Sequence, residues 1–182
     1  MPQPIVVVDY DPTWPEVFER LRALVWKAVQ DFALGIEHVG STSVPGLAAK
    51  PIIDMDVVVA TEADVALAIE RLAVLGYVHR GNLGIEGREA FQPPAHLPPH
   101  HLYVCLQHSL SLRNHLALRD YLRAHPEARQ AYGALKKRLA QAHAYSIDAY
   151  IEGKSEMLLA MLAETGFASE QLDTIREQNR AR

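Results

Sequence analysis

The sequence predicts an α+β fold built around one sheet, with helices flanking the sheet and a helical C-terminal third. Short strand-like segments alternate with helix-like segments as far as Leu106, whereas helical patterns alone follow from Ser109 onward. The length of 182 residues, 49% of them in the hydrophobic set, suffices for one buried core. These two observations give the fold class, and the individual elements follow in chain order.

The first predicted helix begins at Thr13-Trp14-Pro15-Glu16, which has the spacing of a capping box and a proline in the first turn. Apolar residues then recur at steps of three and four and form one stripe that ends near Gly35, at Phe18, Leu21, Val25, Ala28, Val29 and Phe32. We expect this helix to cover the core.

Two strands follow, separated by a glycine- and serine-containing turn. Residues 36–39 form a short apolar segment that leads directly into Gly40-Ser41-Thr42-Ser43, and residues 52–59 give the clearest strand pattern. Because side chains alternate along a strand, Ile53, Met55, Val57 and Val59 share one face, and Asp54 and Asp56 share the other.

The remaining elements are a second helix, three strands and the C-terminal helices. The helix opens at Thr61 and stops near Gly76, and strands are predicted at 77–79, 88–91 and 102–106. The helical region has breaks near His125-Pro126 and at 144–146, and a polar helix or tail follows Gly166. We therefore predict one domain over residues 1–167 and a polar C-terminal segment over 168–182.

Composition and charge exclude several classes of protein. A net charge of −4 argues against a strong nucleic-acid footprint, which needs clustered Lys and Arg. The sequence has no apolar run of the roughly 20 residues that span a bilayer, and its start lacks the basic residues of a secretory signal, so we expect a cytoplasmic protein without membrane contact. Cys105, the single cysteine, has apolar neighbours and is predicted to be a buried, inert thiol.

The two aspartates are the first candidate site residues. Asp54 and Asp56 stand about 7 Å apart on one strand face, close enough to hold a divalent cation. Taken alone, the pair is better explained as two aspartates at a solvated strand end. Gly40 and Ser41 add a phosphate-binding signal, because a glycine turn lets backbone N–H groups approach an anion and the serine adds a hydroxyl.

The segment from Ile36 to Asp56, IEHVGSTSVPGLAAKPIIDMD, resembles the signature of the GrpB family. The resemblance covers nearly the whole chain. It includes YDPTW at 10–14, LALRDYL at 116–122, YGALK at 132–136 and YIEGK at 150–154. GrpB proteins are similar to the nucleotidyltransferase superfamily of polymerase beta, and also to the C-terminal region of some actinobacterial dephospho-CoA kinases. The resemblance therefore implies a nucleotidyltransferase-like mixed sheet.

The resemblance also implies a metal site with one departure from the superfamily pattern. In that pattern a Gly-Ser turn is followed by an Asp-x-Asp strand, and a later strand supplies a third acid. The strand at 100–104 offers histidine instead, so His101 is the leading third ligand or catalytic group beside Asp54 and Asp56, with Mg²⁺ or Mn²⁺ as the cofactor. A histidine bonded to a neighbour is the alternative. Glu86 and Glu89 are acids that could substitute.

Basic and aromatic residues provide candidate nucleotide contacts. Tyr132 and Lys136, like Tyr150 and Lys154, are four residues apart on predicted helices and share a face. With the resemblance we interpret both pairs, together with Gly40, Ser41, Lys50 and Arg88, as nucleotide-binding residues. A solvated lysine lying over a tyrosine is the alternative explanation for each pair.

The expected function is the metal-dependent transfer of a nucleoside monophosphate from a nucleoside triphosphate to an unknown small-molecule or macromolecular acceptor. Two alternatives remain open. One is a non-catalytic nucleotide-binding module, suggested by the missing third acid, and the other is a metal-dependent phosphoesterase in which water replaces the acceptor.

Overall fold

The computed structural model describes residues 3–180. Twelve elements occur in this range: α1 Trp14–Val29, β1 Gly35–Val39, a 3-10 turn Ser41–Ser43, β2 Ile53–Val59, α2 Glu62–Val74, β3 Val78–His79, β4 Arg88–Gln92, β5 His100–Leu106, α3 Leu110–Ala124, α4 Pro126–Ala142, α5 Ile147–Glu164 and α6 Ser169–Arg180. The order of strands and helices agrees with the pattern read from the sequence.

The five strands form one mixed sheet in the order β1-β2-β5-β4-β3. β2 and β5 are parallel, and the other neighbours are antiparallel. A parallel pair needs a crossover connection, which α2, β3 and β4 provide here. The predicted α+β class, with a mixed sheet flanked by helices and a helical C-terminal third, is confirmed.

The main core lies between one face of the sheet and the helices α1 and α2. Ile53, Met55, Val57 and Val59 alternate along β2 and are all buried against this layer. Each fully buried side chain of this size contributes about 1.5–3 kcal/mol relative to exposure. The strong apolar face of β2 thus fixes which side of the strand carries the aspartates.

The opposite face of the sheet is covered by the C-terminal helices. A second apolar cluster joins the segment after the 3-10 turn to α3, α4 and α5 through Val44, Leu47, Leu122, Tyr132 and Met161. A third cluster holds α6 against α5, with Leu159, Leu162, Phe167 and Ile175 buried. The predicted polar segment over 168–182 is a helix as far as Arg180, and its last two residues lie outside the described range.

The predicted capping box at Thr13 is wrong. The Thr13 side chain does not cap α1; its hydroxyl and its backbone N–H both donate to Asp11 Oδ1, at 2.7 and 2.8 Å. The threonine is bonded within the turn that precedes the helix, in the manner of an Asx turn, and so does not cap the helix. At α2 the box does form, because Thr61 Oγ1 accepts from Asp64 N and the Asp64 carboxylate accepts from Thr61 N.

Within residues 3–180, no helix combines the length and the apolar character that crossing a bilayer requires. Cys105 is completely buried in β5. Burial raises the pKa of its thiol well above the usual value, so the thiol is protonated and inert at neutral pH.

Candidate functional site

A cavity of about 250 Å³ lies between the aspartate face of the sheet and the C-terminal helices. Its walls come from β1, the 3-10 turn, β2, β4, β5 and the helices α3 to α6. Ten of the sequence-predicted residues line it: Gly40, Ser41, Lys50, Asp54, Arg88, His101, Tyr132, Lys136, Tyr150 and Lys154. Asp56 is fully buried and is not among the residues that line the cavity.

The Gly40 turn brings the backbone against the first aspartate. Gly40 has φ +69°, a left-handed conformation, and a Cβ placed on it would collide with Asp54 Oδ2. Only glycine combines that backbone with so close an approach. Ser41 begins the 3-10 turn, and its Oγ accepts a 2.7 Å hydrogen bond from Lys136 Nζ on α4. The turn predicted as a phosphate cradle is therefore tied to a lysine.

A histidine and an arginine support this turn from beneath. His38 stacks on Phe18 with 4.4 Å between ring centroids, and its Nε2 lies 3.0 Å from Thr42 Oγ1. Burial lowers the pKa of His38 to about 4, so the ring is neutral at physiological pH. Arg123 donates to the Ser43 carbonyl oxygen at 2.7 and 3.1 Å. These contacts fix the turn relative to α1 and α3.

Asp54 is bonded to His101 on the neighbouring strand. The two residues are partners in the parallel β2–β5 register, and His101 Nδ1 lies 2.7 Å from Asp54 Oδ1. Burial acts to raise the pKa of Asp54, but the hydrogen bond from His101 and the charges of His101, His115 and Lys154 bring it below its usual value. Since the ionised carboxylate only accepts, Nδ1 carries the proton and Nε2 of His101 remains available.

Asp56 forms a second carboxylate–imidazole pair. Its side chain is fully buried, and its Oδ2 accepts from His115 Nδ1 of α3 at 2.7 Å. Among the described residues, Asp56 Oδ1 has no hydrogen-bond partner. A buried carboxylate oxygen without a donor is costly, so this atom is one that a cation would satisfy.

The acids proposed as substitutes for a third carboxylate point elsewhere. Glu89 of β4 is the register partner of Val104, which places it on the sheet face opposite to Asp56. There its carboxylate meets His79 Nε2 at 2.6 Å. Glu86 lines a separate cavity near Ser109. On β5 the aspartate face carries only His101 and Tyr103 beside the two aspartates.

The donor set fits a cation that arrives with phosphate oxygens and does not form a complete protein cage. Within residues 3–180, no group of three or more His, Cys, Asp and Glu side chains is arranged around a common metal position. Asp54 and Asp56 each use one oxygen for a histidine, which leaves Asp54 Oδ2 and Asp56 Oδ1. Mg²⁺ is commonly bound by one or two carboxylates together with substrate phosphates, so two such oxygens suffice.

Three lysines give the cavity a positive wall. Lys136 is almost fully buried, with its Nζ 4.6 Å from the Tyr132 ring centroid. Lys50 and Lys154 lie over the Tyr150 ring at 5.9 and 5.2 Å. Burial holds the pKa of Lys136 well below its usual value, Lys154 and Lys50 act in the same direction, and Asp54 opposes them. An anionic ligand would relieve this repulsion.

The tyrosines themselves are buried beneath these lysines. Tyr132 and Tyr150 are 3% and 1% exposed, and burial raises the pKa of Tyr150 to about 12. Both therefore remain protonated and act through their ring faces. Arg88 is also buried and stacks on Tyr103, with 4.4 Å from its Cζ to the ring centroid.

Sequence reasoning missed the contribution of α3. His115, Arg119 and Arg123 are spaced four apart and so form one stripe along this helix. Arg119 donates to Glu37 Oε2 at 2.7 Å and to the His38 carbonyl at 3.2 Å. Polar residues at four-residue intervals on the side of a helix that faces the sheet were the available signal. With them, α3 positions both the second aspartate and the Gly40 turn.

Comparisons with known proteins agree with the fold and with the sequence signature. The GrpB protein family model matches residues 4–164. Curated relatives include UPF0157 protein YqkA of Bacillus subtilis, 38% identical over 154 residues, which cover 85% of this chain and 45% of that protein. A dephospho-CoA kinase of Mycolicibacterium paratuberculosis is 28% identical over 176 residues, covering 83% of this chain and 43% of the kinase. The chain thus spans less than half the length of these two relatives.

Solved structures show the same relationship. The crystal structure of conserved protein GrpB from Enterococcus faecalis matches with a TM-score of 0.79 and 35% identity, covering 94% of this chain and 99% of that one. The Cid1 poly(U) polymerase with MgGTP bound has a TM-score of 0.53 at 12% identity, over 76% of this chain and 46% of Cid1, a likeness of fold alone. On the family match and these identities, the chain belongs to the GrpB family.

Proposed function

We propose that the cavity binds a nucleoside triphosphate and transfers its nucleoside monophosphate, with a divalent cation, to an acceptor hydroxyl or phosphate. The observation that carries the proposal is the 2.7 Å bond between Lys136 Nζ and Ser41 Oγ beside Asp54. It unites the Gly-Ser turn, the aspartate strand and a buried ammonium in one cavity. The nucleotidyltransferase-like fold and the MgGTP ligand of Cid1 support the same class of ligand.

The phosphates would lie between the Gly40–Ser41 turn and the lysines. A buried ammonium with a depressed pKa is strongly stabilised by an arriving anion, because the anion replaces the lost solvation. Lys136, Lys50 and Lys154 are point charges suited to this role. Gly40 lets the phosphates approach the backbone closely, and Ser41 adds a hydroxyl donor.

Asp54 Oδ2 and Asp56 Oδ1 would hold the divalent cation against the phosphates. When bound, such a cation withdraws charge from the phosphoryl oxygens and stabilises the charge that develops in the transition state. His101 bonds to the other oxygen of Asp54, Oδ1, and His115 bonds to the other oxygen of Asp56, Oδ2. These bonds fix the two carboxylates. The aspartates are thus oriented before the nucleotide arrives.

His101 Nε2 would take the proton of the acceptor. In the transfer, the acceptor oxygen bonds to the α-phosphorus, the bond from that phosphorus to the bridging oxygen breaks, and pyrophosphate leaves. A hydroxyl acceptor must lose its proton, and Nε2 of His101 is the ring nitrogen that Asp54 leaves available. His101 is 46% exposed, so an acceptor can reach it.

A nucleotide-binding module without turnover is the second candidate. The observation that favours it is the aspartate face of β5, which carries His101 and Tyr103 where a third carboxylate would stand. Such a module would keep the lysines and the Gly40 turn and would leave the triphosphate intact.

Calorimetry with Mg²⁺ or Mn²⁺ and each of the four common ribonucleoside triphosphates tests the proposal. Asp54→Asn should reduce cation-dependent binding by at least about tenfold, because it removes a charged ligand worth more than about 1.4 kcal/mol. Asp31→Asn, which removes an exposed carboxylate from the turn after α1, is the matched control. Unchanged affinity in Asp54→Asn would refute the cation role.

Product analysis separates the candidate activities. Incubation with a labelled triphosphate and a cell extract should yield a nucleotidylated acceptor if the chain is a transferase. Free phosphate products without a labelled acceptor would indicate a phosphoesterase. An intact triphosphate that nonetheless binds would indicate the binding module.

A further inference from the structure

The cavity has one end lined by three lysines and another lined by side-chain amides. Val39 is the register partner of Asp54, which puts the Gly40 turn at the start of β2. At the other end of β2, Val59 O accepts from Gln107 N, just before α3 begins. Five residues of strand separate Asp54 from Val59, which is about 16 Å. The cavity therefore extends along β2 from the lysines toward the start of α3.

Three side-chain amides line the part of the cavity near the start of α3. Asn114 lies on α3, and Gln178 and Asn179 lie on the last turn of α6. Gln178 also borders the neighbouring cavity beside Ser109 and Leu110, which fixes its position at the N-terminal end of α3. The three amides are thus removed from the Gly40 turn and its lysine.

The chemistry of these groups differs from that of a phosphate site. An amide has one acceptor oxygen and two N–H donors, whereas a phosphate offers only acceptors. Among the described residues, the amides of Asn114, Gln178 and Asn179 have no hydrogen-bond partner. Nucleobase edges present donors and acceptors together, and Asn and Gln are the side chains that pair with them most readily.

Two planar side chains form the neighbouring wall. Arg88 stacks on Tyr103 at 4.4 Å, and both residues line the cavity together with Ile85. Planar guanidinium and aromatic groups are surfaces on which bases stack. This wall is close to α3, because Gly87 O accepts from Leu106 N, four residues before α3 begins, and a Cβ on Gly87 would collide with Ser109.

The α6 amides are carried by a docked helix. Ile175 is 2% exposed within a cluster that contains Leu159, Leu162 and Phe167. Arg176 Nε lies 3.3 Å from Glu156 Oε1 of α5. These contacts fix the last turn of α6 above the cavity. The helix follows residue 164, where the match to the GrpB family model ends.

From these observations we propose that Asn114, Gln178 and Asn179 form a subsite that reads the base of the bound nucleotide. The inference rests on the proposed function and adds a determinant of base preference. Gln178 and Asn179 lie outside the matched family region, and Asn114 lies within it. The lysines hold the phosphates at one end, and the amides hydrogen-bond the base at the other.

Calorimetry in Mg²⁺ with inorganic tripolyphosphate and with ATP, GTP, CTP and UTP tests the subsite. The variants are Gln178→Ala, Asn179→Ala and the double variant, and the control is Gln130→Ala, an exposed amide on α4. We expect the double variant to weaken the preferred nucleotide by about tenfold, since two hydrogen bonds to the base are lost, and to leave tripolyphosphate within about twofold. Gln130→Ala should bind every ligand as the unaltered protein does.

Three other results would overturn the inference, and they are distinguishable. If nucleotides and tripolyphosphate bind but the double variant keeps the same affinities, the subsite is wrong and the proposed function stands. If the variant weakens tripolyphosphate as much as nucleotides, α6 shapes the whole cavity and does not read the base. If the unaltered protein binds neither, the proposed function fails, and the subsite fails with it.

Discussion

At the scale of single residues, several features of the candidate site make the fold less stable. Gly40 holds a left-handed backbone directly against the Asp54 carboxylate, and Lys136 keeps an ammonium almost out of contact with water. Asp56 buries a carboxylate oxygen that has no donor among the described residues. Such features lower the free energy of unfolding, and proteins commonly retain them where a ligand compensates.

Gly40→Ala tests the first of these features. The left-handed backbone costs a residue with a Cβ about 1–2 kcal/mol, and the collision with Asp54 adds to that cost. Gly84→Ala is the control, because Gly84 has φ +77° and a Cβ added there would have nothing within 4 Å. Urea unfolding should show that Gly40→Ala loses more stability than Gly84→Ala. Equal losses would mean that Asp54 moves away freely.

Lys136→Met should stabilise the protein while weakening binding of the triphosphate. Burial depresses the pKa of Lys136 below its usual 10.5, so the charged form is disfavoured in the fold. Replacing it with an apolar chain should raise the unfolding free energy at pH 7 by about 1–3 kcal/mol. Lys137→Met, at a half-buried neighbour paired with Asp9, is the control.

The pH dependence of that gain has a defined sign. A lysine with a depressed pKa destabilises the fold fully below the folded-state pKa, and the penalty disappears as the pH rises to the unfolded value of 10.5. The difference in unfolding free energy between Lys136→Met and the unaltered protein should therefore shrink from pH 7 to pH 10. A constant difference would show that the pKa of Lys136 in the fold is not depressed in this pH range.

At the scale of elements, the sequence was most informative where one periodicity dominated. The β2 pattern predicted both ends of that strand to within a residue, and the stripe of α1 predicted the start of that helix, because each buries one face in the main core. The end of α1 was predicted too late, since the helix stops at Val29 and not near Gly35. The start of α1 was predicted with the wrong cap. Thr13 and Thr61 each begin a Thr-x-x-acid segment. Thr13 bonds to Asp11 in the preceding turn, whereas Thr61 caps α2, so the same spacing gives a turn or a helix cap according to what precedes it.

The site could be predicted only in part, for a reason that lies in the geometry. Residues on β2 and in the Gly40 turn are local in sequence, so their common location follows from strand alternation. His115 is 59 positions from Asp56, and Lys136 is 95 positions from Ser41. Such partners depend on how α3 and α4 pack on the sheet, and no local pattern contains that information.

Ile175→Ala tests how α6 is held. Truncation of a buried isoleucine costs about 2–5 kcal/mol, mostly through lost burial and the cavity that remains. Because α6 packs on α5 around this residue, the loss should appear as faster amide hydrogen exchange in α6 before the rest of the protein. Val74→Ala, at a position 85% exposed, should change neither stability nor exchange.

At the scale of the whole molecule, the sheet and the C-terminal helices meet around the cavity and are joined by the N-terminal segment. Ile5 N donates to Ala144 O at 2.7 Å, and Val8 forms an isolated bridge with Ala49. The segment therefore spans from the α4–α5 connection to the chain between the Gly40 turn and β2. Both halves should unfold together, as in a two-state transition.

Acid should lower the free energy of unfolding of the whole molecule, because His38 becomes protonated. The pKa of His38 is about 4 in the fold because of burial, against a usual 6.5. Stability from the neutral ring is therefore present above pH 6.5 and is lost as the pH falls toward 4. Between pH 7.5 and pH 5, the unaltered protein should lose about 1–2 kcal/mol more than His38→Gln, allowing for partial solvent exposure.

Chemical denaturation at the two pH values measures this difference. His108→Gln, at an exposed histidine, should follow the unaltered protein. A His38→Gln variant that loses as much stability on acidification as its parent would place the acid sensitivity in other groups, of which buried His100, with its pKa also lowered by burial, is the next to replace.

Cys105 need not be removed before a spectroscopic label is attached to a cysteine introduced elsewhere. The only thiol in the sequence lies in the central part of the sheet with no solvent exposure and a raised pKa. Alkylating reagents should leave it intact in the folded protein, so a cysteine introduced on the surface would take a fluorophore or spin label selectively. The rate at which Cys105 itself becomes alkylated would then report on how often the whole fold opens.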